Sequence, residues 1–155
     1  MNYVFYDLET TGTNVNWSQI IQFGAILVNE QFIELDRCQA KCKLKPGVVP
    51  EPKALLVTGN SIADLDKINL SHYELINEIR KKFESWTPAI FFGFNSIRFD
   101  EEILRKSLFK SLFDVYITVL NNNKRADLIN LVRSSVFFDK KFLKTTLTDK
   151  GNISF

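Results

Sequence analysis

The 155-residue sequence contains no apolar run of about 18 residues or more, the length needed for a helix to cross a lipid bilayer. Its first residues, MNYVFYDLE, also lack the basic and apolar segments of a secretory signal peptide. Both absences argue against a membrane-spanning or exported protein. We therefore expect a soluble, cytoplasmic protein that makes no contact with a membrane.

Cysteine and histidine are scarce as well. The only cysteines, Cys38 and Cys42, lie in a stretch with strand character and have no histidine near them, and the single histidine is His72. Structural zinc sites need four clustered ligands, and a disulfide framework needs a larger set of cysteines. We expect two reduced thiols with a structural role.

The length suits one compact domain that spans residues 1–155, and we do not expect two domains in a chain of this size. The formal net charge of +2 conceals an uneven distribution. Residues 1–79 contain six Lys and Arg against ten Asp and Glu, whereas residues 80–155 contain fourteen against eight. A basic half suits a nucleic-acid backbone, but lysine-rich helix faces exposed to solvent explain the same asymmetry equally well.

The spacing of apolar residues predicts an α/β domain with a mixed sheet. The predicted strands are 2–8, 19–29, 31–44 and 89–95, and the predicted helices are 71–86, 100–113 and 126–138. Ser71 and Glu74 form a capping-box signature at the first helix. The residues expected to face the core are Tyr73, Ile76, Ile79 and Phe83 on that helix, and Ile103, Leu104, Leu108 and Leu112 on the next.

Carboxylates follow two of these strands. Asp7 and Glu9 are two residues apart in the first strand segment, so their side chains should share one face. Asp100 comes shortly after the fourth strand, and a parallel arrangement would bring it to the same edge of the sheet. Carboxylate oxygens suit Mg²⁺, and a pair of such ions can clamp a phosphodiester. A solvated strand end and an acidic first helical turn are the simpler explanations of the two clusters taken singly.

At these residues the chain resembles a known group of enzymes. The segments FYDLETTGTN and IIQFGAI resemble the first motif of the DEDD (DnaQ-like) 3′–5′ exonucleases, and GFNSIRFDEEILRKSLF resembles their second. LLVTGNS (55–61) and RADLINLVR (125–133) extend the similarity to the bacterial exonuclease I family, in the same order along the chain. The resemblance implies a ribonuclease H-like, three-layer fold, in which helices flank a mixed five-stranded sheet. It also implies a processive nuclease specific for single-stranded DNA.

The resemblance also implies roles for individual residues. Asp7 and Glu9 would bind two Mg²⁺ ions, for which Mn²⁺ could substitute, and Asp100 would hold the second ion, with Glu101 and Glu102 as surface acids. The expected contacts to single-stranded DNA are Thr10, Gly12, Asn95, Arg105, Tyr116 and Arg133. The alternatives for the last three are a solvated Arg, a core Tyr and an Arg paired within its helix. Leu120 replaces a further aromatic of the family pattern, which predicts a looser grip on the strand. Single-strand-binding protein is an expected partner, and we expect a monomer.

One part of the family pattern is missing from the chain. Exonucleases of this type use a histidine a few residues before a fourth acid, and this histidine deprotonates the attacking water. His72 precedes the second motif and is followed five residues later by Asn77, so it fits neither the order nor the spacing. We expect His72 to be a surface or capping residue, the chain to be truncated before the last motif, and these 155 residues to be nearly inactive.

Two other functions remain open at this stage. A nuclease fold without hydrolytic activity could bind single strands or a partner protein. A ribonuclease T or oligoribonuclease relative could trim RNA, and the first motif does not distinguish RNA from DNA, because the 2′-hydroxyl is recognised by the shape of a pocket.

Overall fold

The computed structural model describes residues 1–138, 146–147 and 153–154. Its strands are β1 (Asn2–Thr10), β2 (Ile20–Val28), β3 (Glu34–Lys41), β4 (Ala89–Gly93), β5 (Lys124–Asp127), β6 (Thr146–Leu147) and β7 (Ile153–Ser154). Its helices are α1 (Pro52–Thr58), α2 (Ile62–Leu65), α3 (His72–Ser85), α4 (Asp100–Lys110) and α5 (Leu128–Phe138).

A mixed sheet of five strands has the order β3-β2-β1-β4-β5, and β6 pairs with β7 separately. The first three strands form an antiparallel meander, while β4 runs parallel to β1 and β5 runs parallel to β4. The helix α3 makes the crossover between β1–β3 and β4. The carboxyl ends of β1, β4 and β5 therefore lie at the same edge of the sheet, where ligands of such sheets bind.

The strand β1 presents different residues to its two faces. Val4, Tyr6 and Leu8 are buried, whereas Phe5 is half-buried and Asp7 is exposed. The buried face packs against α3 and α4. In this part of the core, the ring of Phe83 contacts the rings of Tyr6, Phe23 and Phe91. The side chain of Asp7 thus points away from the core, on the more open face of the sheet.

The predicted helix at 71–86 is confirmed as α3, including the capping box. Ser71 Oγ accepts a hydrogen bond from Glu74 N at 3.2 Å, and Ser71 N donates to Glu74 Oε2 at 2.7 Å. Ile76, Ile79 and Phe83 are buried as expected. The prediction for Tyr73 is wrong, because Leu75 takes the buried position in the first turn and Tyr73 lies at the helix edge, 56% exposed.

The predicted helix at 100–113 is shorter than expected. It ends at Lys110, and the chain then turns through Leu112, which has a positive φ of 59°. Ile103, Leu104 and Leu108 are buried as predicted, but Leu112 is 94% exposed because it lies beyond the helix. Leu112 is four residues after Leu108 and would lie on the buried face of α4 only if the helix continued past Lys110.

A fifth strand replaces the start of the third predicted helix. Lys124–Asp127 pairs with Ile90–Gly93 of β4, and the helix begins only at Leu128. The four-residue strand KRAD is too short and too polar to show strand periodicity in the sequence.

Both cysteines are free thiols, and Cys42 is fully buried. Among the described residues, no helix is long and apolar enough to span a membrane.

The prediction that His72 is a surface or capping residue is wrong. His72 is only 7% exposed, and its Nε2 atom is buried without a hydrogen-bond partner. Burial, followed by the nearby charges of Lys45 and Lys110, lowers the pKa of His72 to about 4. The imidazole is therefore neutral at physiological pH, and its protonation opposes folding.

This burial predicts a loss of stability in acid. The unfolded imidazole binds its proton near pH 6.5 and the folded one only near pH 4, so the His72 contribution to stability falls as the pH decreases between these values, by at most about 3 kcal/mol. The replacement His72→Gln removes the titration. Urea unfolding from pH 7.5 to 4.5 should show the free energy of wild-type protein falling relative to that of His72→Gln. A constant difference between the two proteins across this range would contradict the prediction.

Candidate active site

Asp7 and Glu9 lie on the same face of β1, as their spacing predicts. The strand continues through both residues to Thr10, two residues further than expected. Burial and then the charge of Asp7 raise the pKa of Glu9, while Lys41 opposes this effect more weakly. The two carboxylates are thus close enough for each to feel the charge of the other.

Asp100 joins them from the start of α4. It is the first residue of this helix and is 7% exposed. Burial raises the pKa of Asp100 to about 7, and the negative charges of Asp7, Glu9 and Asp127 add to the increase. The carboxylates that the sequence singles out, two from β1 and one from α4, therefore share one electrostatic environment at the edge of the sheet.

A fourth acid, Asp127, belongs to this region and was not predicted. It is the last residue of β5 and is 6% exposed. Its carboxylate accepts hydrogen bonds from Asn95 N at 2.7 Å and Ile97 N at 3.2 Å, and from Ile129 N at 3.1 Å. Asp127 thereby fixes the turn after β4 that leads to Asp100. An acid between a strand and a helix is the sequence signal that could have identified it.

Glu101 is not the surface acid that was predicted. It is 2% exposed, and its carboxylate accepts hydrogen bonds from Tyr6 Oη at 2.9 Å, Thr118 Oγ1 at 2.6 Å and Arg125 Nη1 at 2.9 Å. Three donors, one of them cationic, compensate the burial of its charge. Glu102 lies nearer the surface and pairs with Arg105.

The Tyr6–Glu101 hydrogen bond links the two segments that carry the candidate ligands. Tyr6 immediately precedes Asp7 in β1, and Glu101 immediately follows Asp100 in α4. Burial and the Glu101 carboxylate raise the pKa of Tyr6, so the phenol keeps its proton and donates it to this bond. This hydrogen bond therefore fixes the distance between β1 and α4 at the positions next to Asp7 and Asp100.

The expected nucleotide contacts Thr10 and Gly12 form a closed corner. Thr10 is buried and its hydroxyl donates to the carbonyl oxygen of Gly12 at 2.7 Å. A Cβ atom at Gly12 would overlap the carboxylate of Glu51, which also accepts a hydrogen bond from Thr13 N. The absence of a side chain at Gly12 therefore allows Glu51 to pack against this corner. The Thr10 hydroxyl already forms a hydrogen bond within the corner.

The remaining predicted contacts lie around the entrance. Asn95 is exposed and has a positive φ of 56°, a conformation that Asn tolerates better than most residues. The guanidinium carbon of Arg105 lies 4.6 Å from the ring centroid of Tyr116, which is 47% exposed and so is not a core residue. Arg133 is exposed on α5, and Leu120, at the position of the missing aromatic, is 41% exposed.

The acids fit Mg²⁺ by donor chemistry and by charge. Their carboxylate oxygens are hard ligands, and no Lys or Arg of the described residues forms an ion pair with Asp7, Glu9 or Asp100. A divalent cation would compensate the repulsion that raises the Asp100 pKa. Within the described part of the chain, however, no group of three or more acidic, His or Cys side chains is arranged so that it could hold a metal ion.

Comparison with known proteins identifies the group to which this site belongs. A family model for exonucleases of the RNase T type matches residues 4–149. The chain belongs to this exonuclease family. It is 30% identical over 170 residues to exodeoxyribonuclease I of Buchnera aphidicola, a match that covers 99% of the chain and 35% of that protein. The chain spans about a third of the length of the curated relatives it matches.

Solved structures confirm the predicted ribonuclease H-like fold with its mixed five-stranded sheet. Exonuclease I of Methylocaldum szegediense matches with a TM-score of 0.89 and 29% identity, over 99% of this chain and 33% of that one. Escherichia coli exonuclease I, solved with a dT13 oligonucleotide, also matches with a TM-score of 0.89, at 24% identity and with the same two coverages. The predicted resemblance to the exonuclease I family is confirmed.

The burial of Asp100 near other acids predicts that its negative charge opposes folding when no metal is bound. Because its pKa is raised from 3.8 to about 7, the folded protein retains a proton that the unfolded chain loses, and stability falls as the pH rises between these values. Without divalent metal at pH 8, Asp100→Asn should therefore be more stable than wild type by about 2 kcal/mol. Urea unfolding in EDTA at pH 8 and pH 4.5 measures this difference, which should be much smaller at the lower pH.

Glu78→Gln is the matched control, because Glu78 is an exposed acid on α3 without an ion pair among the described residues. Its effect should be small at both pH values. If Asp100→Asn were less stable than wild type at pH 8 in EDTA, the burial of the Asp100 charge and its repulsion by the neighbouring acids would not be the dominant effects at this site.

The Tyr6–Glu101 link predicts a specific loss of stability. Tyr6→Phe removes one hydroxyl and leaves a buried carboxylate oxygen without its donor, which should lower the free energy of unfolding by about 1.5–3 kcal/mol. Tyr73→Phe is the control, since Tyr73 is 56% exposed and should change stability little. Equal urea midpoints for the two variants would show that the hydrogen bond contributes nothing.

Proposed function

We propose that the chain forms the N-terminal part of the catalytic domain of a 3′–5′ exonuclease that degrades single-stranded DNA to 5′-mononucleotides in the presence of two Mg²⁺ ions. The observation that carries the proposal is the placement of Asp7, Glu9 and Asp100 at one edge of the sheet, where the charge of Asp7 reaches both Glu9 and Asp100. Membership of the exonuclease family and the similarity to exodeoxyribonucleases I support it.

In this proposal each acid has a distinct role. Asp7, the most exposed of the three, would hold the two ions together with Glu9, and Asp100 would hold the second ion. Mn²⁺ can substitute, because it also accepts carboxylate ligands. When bound, the metal ions neutralise the charge that develops on the phosphodiester and activate water for attack. Asp127 and Glu101 contact neither ion and position the segment that carries Asp100.

The strand is gripped by residues around these acids. Arg105 and Tyr116 are already stacked on each other, and an exposed Tyr ring next to a guanidinium can bind both a base and a phosphate. Arg133 on α5 donates to a second phosphate. Asn95 and the Thr10–Gly12 corner contact the terminal nucleotide through their backbone, since the Thr10 hydroxyl is committed to Gly12.

The general base does not come from His72. This imidazole is buried at the start of α3, close to Lys45 and Lys110, and its Nε2 atom is enclosed rather than exposed to solvent. The 155 residues therefore contain three candidate metal ligands but no histidine placed for proton abstraction. We propose that on their own they hydrolyse DNA slowly.

In the cell we propose a cytoplasmic monomer. An ExoI/SSB-Ct complex with the same fold makes single-strand-binding protein a reasonable partner.

A digestion assay on the complete gene product tests this function. With Mg²⁺ and a 5′-labelled single-stranded DNA oligonucleotide, wild-type protein should convert the label to short 5′-terminal fragments, because the strand is shortened from its 3′ end. Asp7→Asn should reduce the rate at least 100-fold, since it removes a carboxylate that would hold the ions. Glu78→Gln is the control and should digest at the wild-type rate.

The matched RNA oligonucleotide decides between the two nuclease classes. Faster shortening of RNA than of DNA would replace the proposed substrate with RNA. Binding of either strand without any shortening would favour a module that binds nucleic acid without hydrolysis. Digestion by Asp7→Asn at the wild-type rate would overturn the assignment of the acids.

A further inference from the structure

Trp17 is an exposed aromatic residue in the loop that follows β1. Its side chain is 79% exposed, whereas the other tryptophan, Trp86, is 5% exposed. The loop is held in shape by its own hydrogen bonds: the carbonyl oxygen of Asn14 accepts from Trp17 N at 3.1 Å and from Ser18 N at 2.8 Å. An indole ring presented to solvent on a fixed loop has no role in the core and is available to a ligand.

Two lysines of α4 lie against this loop. Lys106 Nζ donates to Asn16 Oδ1 at 2.5 Å, and Lys110 Nζ donates to the carbonyl oxygen of Asn16 at 2.6 Å. Lys110 Nζ also lies 5.7 Å from the centroid of the Trp17 ring. The indole and the two ammonium groups therefore form one surface, which we call the Trp17 patch and define as Trp17, Lys106 and Lys110.

The Trp17 patch has an excess of positive charge. In the described residues, no carboxylate forms an ion pair with Lys106 or Lys110, and Lys45 adds a third positive charge nearby. Buried His72 also lies close to Lys45 and Lys110 but is neutral at physiological pH. Glu51 is the acid that borders the same hollow as Trp17, and its carboxylate is engaged with Thr13 N. Positive charge beside an aromatic ring suits a ligand with phosphates and stacked bases.

The helix α4 connects the Trp17 patch to the candidate active site. It begins at Asp100 and ends at Lys110, a distance of about 15 Å along its axis at about 1.5 Å per residue. Arg105 and Lys106 lie between these ends and are half-buried, Arg105 against Tyr116 and Lys106 against Asn16. A single strand with its 3′ end at Asp100 can follow the helix.

We propose that the Trp17 patch is a second contact for single-stranded nucleic acid, in which a base stacks on the indole and Lys106 and Lys110 bind the flanking phosphates. The inference deepens the proposed function and rests on it for the direction of the strand. The patch holds the strand at a distance from the scissile bond, so it contributes to affinity rather than to the chemical step.

The two tryptophans permit a direct test. In a Trp86→Phe protein the fluorescence arises from Trp17 alone, and oligothymidylate in EDTA, where no hydrolysis occurs, should quench it in a saturable way because a base stacks on the indole. In anisotropy measurements with a labelled oligonucleotide, Trp17→Ala should weaken binding five- to fiftyfold, and Trp17→Phe should restore most of the affinity. The anisotropy series leaves Trp86 unchanged and so decides the question even if Trp86→Phe does not fold.

The lysines are tested through salt dependence. Lys110→Ala should reduce the slope of log affinity against log salt concentration by about 0.7, the value for one phosphate contact on a single strand. Lys124→Ala is the matched control, because Lys124 is exposed at the opposite end of the parallel strands. Its slope should equal that of wild type.

The outcomes separate this contact from the nuclease function. Wild-type affinity in both Trp17→Ala and Lys110→Ala would overturn the contact and leave the nuclease assignment intact. Quenching by an acidic peptide but not by oligothymidylate would overturn it in favour of a protein ligand. Loss of affinity in these variants, together with an absence of digestion by the complete gene product, would support the contact and refute the proposed hydrolysis.

Discussion

The structure depends on holding carboxylates close together at one edge of the sheet against their mutual repulsion. Parallel pairing of β1 with β4 brings Asp7 and Asp100 to the same edge, and the charge of Asp7 is the largest electrostatic contribution to the raised pKa of Asp100. Such an arrangement lowers stability unless a cation compensates it, and so is typical of functional sites rather than of structural ones. The open face of β1 carries the exposed acid, while the opposite face forms the core.

Buried polar groups keep this edge in place. Asp127 binds the turn after β4, and Glu101 ties the first turn of α4 to β1 and β5. Each carboxylate satisfies several donors at once, so neither can move without leaving buried groups unpaired. The acids that position the site, Glu101 and Asp127, are thus different from the candidate metal ligands. Glu101 follows Asp100 in sequence, and Asp127 ends the strand that pairs with β4.

The sequence predicts the parts of the molecule that depend on local periodicity. The meander, the capping box of α3 and the shared face of Asp7 and Glu9 all follow from spacing. What it does not predict depends on tertiary contacts. Glu101 looks like a surface acid because its donors Tyr6, Thr118 and Arg125 are distant in sequence, and β5 is recognised only by its pairing with β4. His72 looks exposed for the same reason, since the burial of one polar residue leaves no periodic signal.

The most direct test of the account is a crystal structure of the protein with Mn²⁺, analysed by anomalous diffraction. The account predicts an anomalous peak about 2.1 Å from an oxygen of Asp7 and within ligand distance of Glu9 or Asp100. A peak bound elsewhere at saturating Mn²⁺, with the three carboxylates separate and free of metal, would contradict it.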